Sequence, residues 1–426
     1  MRKIILFAMA AALCAPMAAQ KQYSLEECIG MALQNNIKMK KAENEISSAR
    51  EQKKEAFANY IPQVSATAAG FVSDKGLVQM NLAPLGIPQT MEMIDDGVIG
   101  SVSAMLPLYT GGQITTGNKL ARIGIEASTL KQNILANEVR LSTTQYFWNI
   151  VMLKEKLNTL GIIDNQLESI EKDVDIAVKA GIANRNDLLQ VSLKRNEIKS
   201  AQLTVENNIA ICRNLLSQSM GLGIDSIDVA CTIGEQMPQS PSALYASPQD
   251  ALTQTNEYQL LQQNVKAQKL QYKMTVGKNL PTVSIGGMYS YNNLMDKSQN
   301  NLIGVATVSI PISNWIGGSH SMKRQKIEIQ NAENELKDNG ELLTINIRNK
   351  WNSLNEAYKQ IEISKNSIVQ SKENLRLQTD YYKAGTCTMS DLLEAQTMFQ
   401  QSKDRFVENV TQYEIKKTEY LQSTGR

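Results

Sequence analysis

Two stretches of the chain, Gln113 to Ala180 and Gly317 to Ala384, each run 68 residues without a proline. Proline removes a backbone donor and clashes with the preceding turn, so its absence permits uninterrupted helix. In the first stretch Val139, Tyr146, Leu153, Leu160, Leu167 and Val174 recur every seven residues, joined by Ile163, Ile170 and Ala177. In the second, Ile347, Leu354, Ile361, Ile368, Leu375 and Tyr382 do the same. A seven-residue apolar repeat lays a narrow seam along an α-helix. The other positions carry mostly Asn, Gln, Lys, Glu and Ser, which suit water. At 1.5 Å per residue each helix is about 100 Å long. Shorter helical patterns cover Leu25–Tyr60, with Ser24 as N-cap, and Arg185–Met220, Pro248–Asn279 and Met389–Thr424.

Between the helices the period changes from seven to two. Val64, Ala66, Ala68, Gly70 and Val72 alternate with Gln63, Ser65 and Thr67, and Val283, Ile285, Gly287, Tyr289 and Tyr291 alternate with Ser284, Gly286, Met288 and Ser290. Alternation is the signature of a strand with two unlike faces. Strands are expected at 62–73, 98–108, 281–292 and 301–312, each about 10–12 residues, the length a tilted strand needs to cross a bilayer.

The chain also repeats itself. Tyr60-Ile-Pro-Gln-Val-Ser65 recurs as Asn279-Leu-Pro-Thr-Val-Ser284, and Leu106-Pro-Leu108 with Gly111-Gly112 recurs as Ile310-Pro-Ile312 with Gly317-Gly318. Lys179-Ala-Gly181 with Asp187-Leu-Leu189 recurs as Lys383-Ala-Gly385 with Asp391-Leu-Leu393, at an offset of 385 − 181 = 204 residues. Ordered matches of this kind indicate a duplicated unit. The expected organisation is a first repeat over 20–220, a connector rich in Gly, Pro and Ser over 221–247, and a second repeat over 248–426. The fold class is mostly α with a small β part, each unit reading helix, strand, strand, long helix, helix. Two short helices stacked end to end match one long helix in length, so the strands project from one end and the tight turns lie at the other. Four strands cannot close a barrel, and open sheet edges are not tolerated in lipid. The pattern therefore demands an oligomer.

Composition narrows the chemistry. Met1–Ala19 reads as an export signal: Arg2 and Lys3, an apolar run from Ile4 to Ala15 too short to span a bilayer, then small residues at Ala18-Ala19. Cys14 follows Leu13 rather than the small residue a lipid-attachment box needs. The remaining Cys28, Cys212, Cys231 and Cys387 are too sparse for a disulfide scaffold, although export leaves one bridge among the first three open. Net charge is +2, which supplies no electrostatic reason to expect nucleic acid. The single histidine, His320, excludes multi-His zinc sites. No GxSxG, Walker A or CxxC motif occurs, and Gly221-Leu222-Gly223 lacks the third glycine of a dinucleotide loop. Neither enzymatic activity, nor a cofactor, nor a metal is expected.

The signal, the duplicated helix–strand–strand–helix unit and the Gly…Asp-Leu-Leu turns resemble the TolC-like outer-membrane efflux proteins, most specifically at Tyr382-Lys-Ala-Gly385-Thr386 with Asp391-Leu-Leu-Glu394-Ala395. The resemblance covers essentially the whole mature chain. It implies a homotrimer in the outer membrane lipid, with a 12-stranded barrel continued by a 12-helix periplasmic tunnel. It also implies a periplasmic adaptor and an inner-membrane pump as partners, in efflux or type I secretion. Residues 221–247 would belong to a belt around the tunnel's middle. Ala180, Gly181, Ile182, Ala384 and Gly385 are expected at the periplasmic tip, where the adaptor docks. Asp391 and Glu394, three apart on one helix face, match acids that form a constriction in the family. The family's arginine in the preceding turn is replaced here by Cys387, a loss for which Arg185 offers a substitute cation. Asp187 and Tyr382 match residues that tie neighbouring hairpins together. Tyr289, Tyr291 and Trp315 are expected at the membrane interfaces, where amphipathic rings are favoured. A periplasmic coiled-coil adaptor or structural protein without a membrane barrel is the alternative; it explains the heptads but not four strands of lipid-crossing length.

Overall fold

The structure, a computed structural model, describes residues 22–81, 84, 86, 90–223, 227–234, 237–294 and 297–426. The expected signal at 1–19 and Cys14 lie outside them. In chain order β1 (Gln22–Tyr23), α1 (Leu25–Asn35) and α2 (Ile37–Ala58) precede β2 (Gln63–Val72), β3 (Val78–Asn81), β4 (Thr90–Met93) and β5 (Asp96–Thr110). Helices α3 (Gln113–Lys179) and α4 (Arg185–Ser219) follow, then β6 (Asp228–Val229), α5 (Pro248–Leu252) and α6 (Asn256–Gly277). The chain ends with β7 (Thr282–Leu294), β8 (Lys297–Ser309), α7 (Asn314–Lys383) and α8 (Met389–Ser423). It divides into two compact units: one holds the residues up to Glu43, Lys131–Tyr258 and Asn339–Arg426; the other holds Asn44–Leu130 and Gln259–Asp338.

In the first unit heptad positions supply much of the core, although Tyr146, Ile368, Leu375 and Tyr382 are only partly buried. Val139, Leu160, Leu167 and Val174 of α3 are buried, as are Ile347, Leu354 and Ile361 of α7. Leu160, Leu167 and Val174 pack with Val191 and Ile198 of α4 and with Met389 and Leu392 of α8. The α7 residues pack with Phe406, Val410, Tyr413 and Tyr420 of α8. Each fully buried Leu, Ile or Val contributes about 1.5–3 kcal/mol, which for such polar helices outweighs intrinsic helix propensity. A third cluster joins Phe147, Ile150 and Val151 of α3 to Cys28, Leu216 and Met220, under the parallel pair β1–β6.

Two helices expected to be continuous are broken, and side-chain bonds explain both breaks. Asn36 separates α1 from α2: its Nδ2 donates to the Ser219 carbonyl at 2.9 Å, while its Oδ1 accepts the Lys38 amide at 2.9 Å. The second break falls after Leu252, where the Thr255 hydroxyl donates to the Leu252 carbonyl at 2.7 Å and accepts the Tyr258 amide at 3.4 Å.

In the second unit β2, β5, β7 and β8 form one antiparallel sheet in that order. β5 is longer than the expected 98–108. β8 runs from 297 to 309 rather than 301 to 312, because its ladder with β7 begins at the Leu294–Lys297 pair. Beyond Ser309 the Ile312 amide turns back to the Ile310 carbonyl at 2.9 Å, across Pro311, which has no amide hydrogen to extend the ladder. The β3–β4 hairpin was not predicted. At the strand-to-helix joint Gly111 has φ +61°, and a Cβ there would lie 2.3 Å from the Gly277 carbonyl oxygen.

Candidate functional site

The sheet register sorts its side chains into two chemically different faces. Ala66, Val102, Tyr289 and Leu302 are register partners in one row across the four strands, and Val64 and Ala104 pair in a row beside it. Ile285 and Val308 share that face, and Val64, Val102, Ile285, Leu302 and Val308 are all exposed. The opposite face carries the rows Ser65–Ser103–Met288–Ile303 and Thr67–Ser101–Ser290–Asn301. There the Ser65 and Ser103 hydroxyls bond at 2.9 Å. That second face also carries Ile99, Met105 and Val305, so it is mixed, whereas the rows around Val102 and Tyr289 are apolar; strands with unlike faces are the pattern of a wall between lipid and water. The outermost strands β2 and β8 each have one partner in this sheet, so its two edges are unpaired among the described residues. No helix among the described residues is long and apolar enough to cross a membrane.

Tyr289 and Tyr291 lie on the apolar face, half-exposed, with Tyr291 paired to Asn300 toward the β7–β8 hairpin. Trp315 is also half-exposed; it sits near the other end of those strands and its Nε1 donates to the Asn279 carbonyl at 3.2 Å.

In the helical unit, two turns join α3 to α4 and α7 to α8, with the same backbone bonds. The Gly181 amide donates to Val178 and the Ile182 amide to Ala177; the Gly385 amide donates to Tyr382 and the Thr386 amide to Tyr381. These are the paired bonds of a Schellman ending, which needs a left-handed residue. Gly181 and Gly385 supply it with φ of +77° and +71°. Ala180, Ile182 and Ala384 are exposed beside them, Ile182 by 83%.

The helices restart differently. Asn184 caps α4 through the Asn186 amide at 3.2 Å. Thr388 caps α8 in a reciprocal box: its amide donates to Asp391 Oδ2 at 2.9 Å and its hydroxyl accepts the Asp391 amide at 3.2 Å. The Thr388 donors hold the Asp391 carboxyl below its ordinary range. Asp391 and Glu394 are both exposed on α8, while their neighbours Leu392 and Ala395 are buried. Tyr382 is brought close to Asp187: burial, then the Asp187 charge, raises its phenol above the ordinary value. Arg185 opens α4 with no side-chain bond to Asp391 or Glu394 in the chain. Cys387 donates from Sγ to the Gln378 carbonyl at 3.4 Å.

Two polar clusters escaped the sequence reading. Arg195 of α4 bonds Asp164 at 3.1 Å, Glu168 at 3.3 Å and Glu171 at 2.6 Å on α3. Ser192 also donates to Glu171, and these bonds hold the Glu171 carboxyl low. The acids stand at helical spacing, which is the available signal; only the packing of α4 on α3 selects their partner. Asp228 accepts from Lys154 at 2.9 Å and Arg213 at 2.8 Å, pinning β6 to α3 and α4.

No curated protein matches the chain by sequence. In structure it is similar to CusC, with TM-score 0.80, 16% identity and coverage of 95% of this chain and 93% of that one. It is similar to the outer membrane protein VceC from Vibrio cholerae, with TM-score 0.78, 14% identity and coverage of 94% and 96%. The Campylobacter jejuni CmeC outer membrane channel matches with TM-score 0.77, 16% identity and coverage of 94% and 85%. At these identities the likeness is one of fold. By sequence, residues 247–426 match the outer membrane efflux protein family. The first half of the chain lies outside that match, and there the likeness to the outer-membrane channel structures is one of fold.

Proposed function

We propose that this protein is the outer-membrane channel of a tripartite efflux system or a type I secretion system, a passive exit duct that works with a periplasmic adaptor and an inner-membrane pump. The observation that carries this reading is the four-stranded sheet with an exposed apolar face, a second face that bears rows of Ser, Thr and Asn, and two edges unpaired among the described residues. Unpaired backbone groups in hydrocarbon cost several kcal/mol each. Other copies must satisfy them, and three chains supply the twelve strands of a closed barrel. The apolar face then meets lipid, with Tyr289, Tyr291 and Trp315 near the interfaces, and the Ser/Thr/Asn face lines water. This sheet also separates the reading from that of a periplasmic coiled-coil adaptor, which has no use for an exposed apolar strand face.

The α3–α4 and α7–α8 turns are the periplasmic tip in this reading. Ala180, Gly181, Ile182, Ala384 and Gly385 form the adaptor-docking surface. Asp187 and Tyr382 tie hairpins together, with Arg185 as the nearby cation. Asp391 and Glu394, repeated three times, form a ring of six carboxylates that favours cations. The duplicated sequence explains the near-equivalent hairpins, and the 221–247 connector forms a belt on the tunnel's outside.

Fractionation of membranes, followed by cross-linking of the purified chain, tests the assembly. A trimer in the outer membrane is expected. A soluble monomer or a dimer overturns the reading.

A further inference from the structure

The two hairpins use the same place in opposite ways. Their helices share one offset: α4 begins at Arg185 and α8 at Met389, α3 ends at Lys179 and α7 at Lys383. At that offset Arg195 corresponds to Phe399, Asp164 to Ile368 and Glu168 to Lys372. Where the first hairpin is closed by the Arg195 ion cluster, the second is apolar with a lysine at its margin.

A groove of about 840 Å³ opens there, among α7, α8, α3 and the connector. Its floor includes buried Phe406 and Val407 and partly buried Ile368 and Phe399. Lys365, Lys372 and Lys403 stand around it, none with a carboxylate oxygen within 4.0 Å among the described residues. Lys403 lies over the Phe399 ring at 5.6 Å. The lining also holds Arg376 and two carboxylates, Glu155 and Glu373, and its net charge stays positive. Arg376 bonds Glu373 at 2.8 Å and Asp380 at 2.9 Å, and Glu155 accepts the Ile233 amide at 3.3 Å. Three lysines without a carboxylate within 4.0 Å, above an aromatic and aliphatic floor, give the groove a net positive rim over an apolar base.

We propose that this groove binds a small anionic amphiphile: an organic molecule with a carboxylate, sulfate or sulfonate head and an apolar body. The volume falls in the 300–1,000 Å³ range of small-molecule sites, which favours such a ligand over a protein segment. The head sits among the lysines, and the body covers Ile368, Phe399 and Phe406. Charge and apolar contact are both needed, because an exposed ammonium pair alone contributes little. The inference stands on the groove, and only the membrane setting of its test rests on the channel reading.

The test uses the full chain in phospholipid nanodiscs, with empty nanodiscs as background. The anionic probe is 8-anilino-1-naphthalenesulfonate; the neutral control is N-phenyl-1-naphthylamine, which lacks the sulfonate. Saturable, protein-dependent binding of the anionic probe is expected. Lys365→Gln/Lys372→Gln/Lys403→Gln should weaken it at least tenfold while changing the neutral probe less than twofold. In a separate Lys403→Cys chain, a water-soluble maleimide should label the thiol, and the anionic probe should protect it. Absence of saturable anionic binding overturns the proposal, as does equal loss of both probes or unchanged binding in the triple variant. An unreactive Cys at 403 in the assembled protein means that a second copy covers the groove, and overturns it too.

Discussion

Replacing glycine by alanine should have opposite effects at Gly385 and at Gly161. Gly385 sits in the α7–α8 turn at φ +71°, and a Cβ added there meets nothing within 4 Å. Steric clash with neighbours is thus removed from the account, and what remains is the cost of a left-handed L-residue, about 1–2 kcal/mol. Gly161 lies inside α3, also with nothing within 4 Å of an added Cβ, and its φ is not left-handed. There alanine removes glycine's helix penalty of about 1 kcal/mol. Hydrogen exchange on the full chain reads both changes as local opening free energies. A loss of 1–2 kcal/mol corresponds to about 5–30-fold. Gly385→Ala should therefore speed exchange of the amides around Thr386 and Asp391 by that factor, while Gly161→Ala should slow exchange in the middle of α3 about fivefold. Equal exchange in Gly385→Ala and the parent would refute the argument that the left-handed turn, rather than contacts, requires glycine there. Faster exchange in both variants would refute it as well, because it would point to clashes that the isolated chain does not contain.

Truncating the α7 seam by Leu354→Ala, at a residue 0% exposed, should cost about 2–5 kcal/mol and lower the denaturant midpoint; a loss under about 1 kcal/mol would mean the heptad is not the core. Asp228 is desolvated, which raises its pKa, but bonds from Lys154 and Arg213 outweigh this and the net shift is downward. Its folded pKa lies below its unfolded one, so its stabilisation is complete above the unfolded value near pH 4 and is lost as pH falls through the folded value. Asp228→Asn should cost about 1–3 kcal/mol at pH 7 and flatten acid unfolding below about pH 4; an unchanged pH profile would refute the assignment. In planar bilayers, Asp391→Asn with Glu394→Gln should weaken cation selectivity and remove block by trivalent cations from the periplasmic side, whereas parental conductance and selectivity would reduce these acids to helix-terminal roles. Large side chains at Ala180, Ile182 and Ala384 should abolish pump-dependent resistance with the trimer intact, and unchanged resistance would leave only the turn role.

Period by itself determined most of the secondary structure. A seven-residue repeat admits a single buried seam, so Val139 to Val174 and Ile347 to Ile361 were legible as core before any packing was known. Period-two alternation likewise put Val64 with Ala66 on one face of their strand and Tyr289 with Tyr291 on one face of theirs, because side chains on a strand can only alternate; that the two faces coincide came from the register. The glycine turns were legible because a left-handed residue at a helix end is local chemistry. What the sequence left undetermined depends on partners far away in the chain. Asn36 breaks a helix because Ser219, 183 residues distant, accepts its amide. The order β2-β5-β7-β8 needs strands from both halves of the chain to pair, and β8 begins at Lys297 because its pairing with Leu294 of β7 begins there. Asp164, Glu168 and Glu171 read only as a charged helix face until α4 packed Arg195 against them. Local periods specify which face of an element is apolar; only tertiary packing, which brings distant hydrogen-bonding groups together, decides what that face and its neighbouring charges meet.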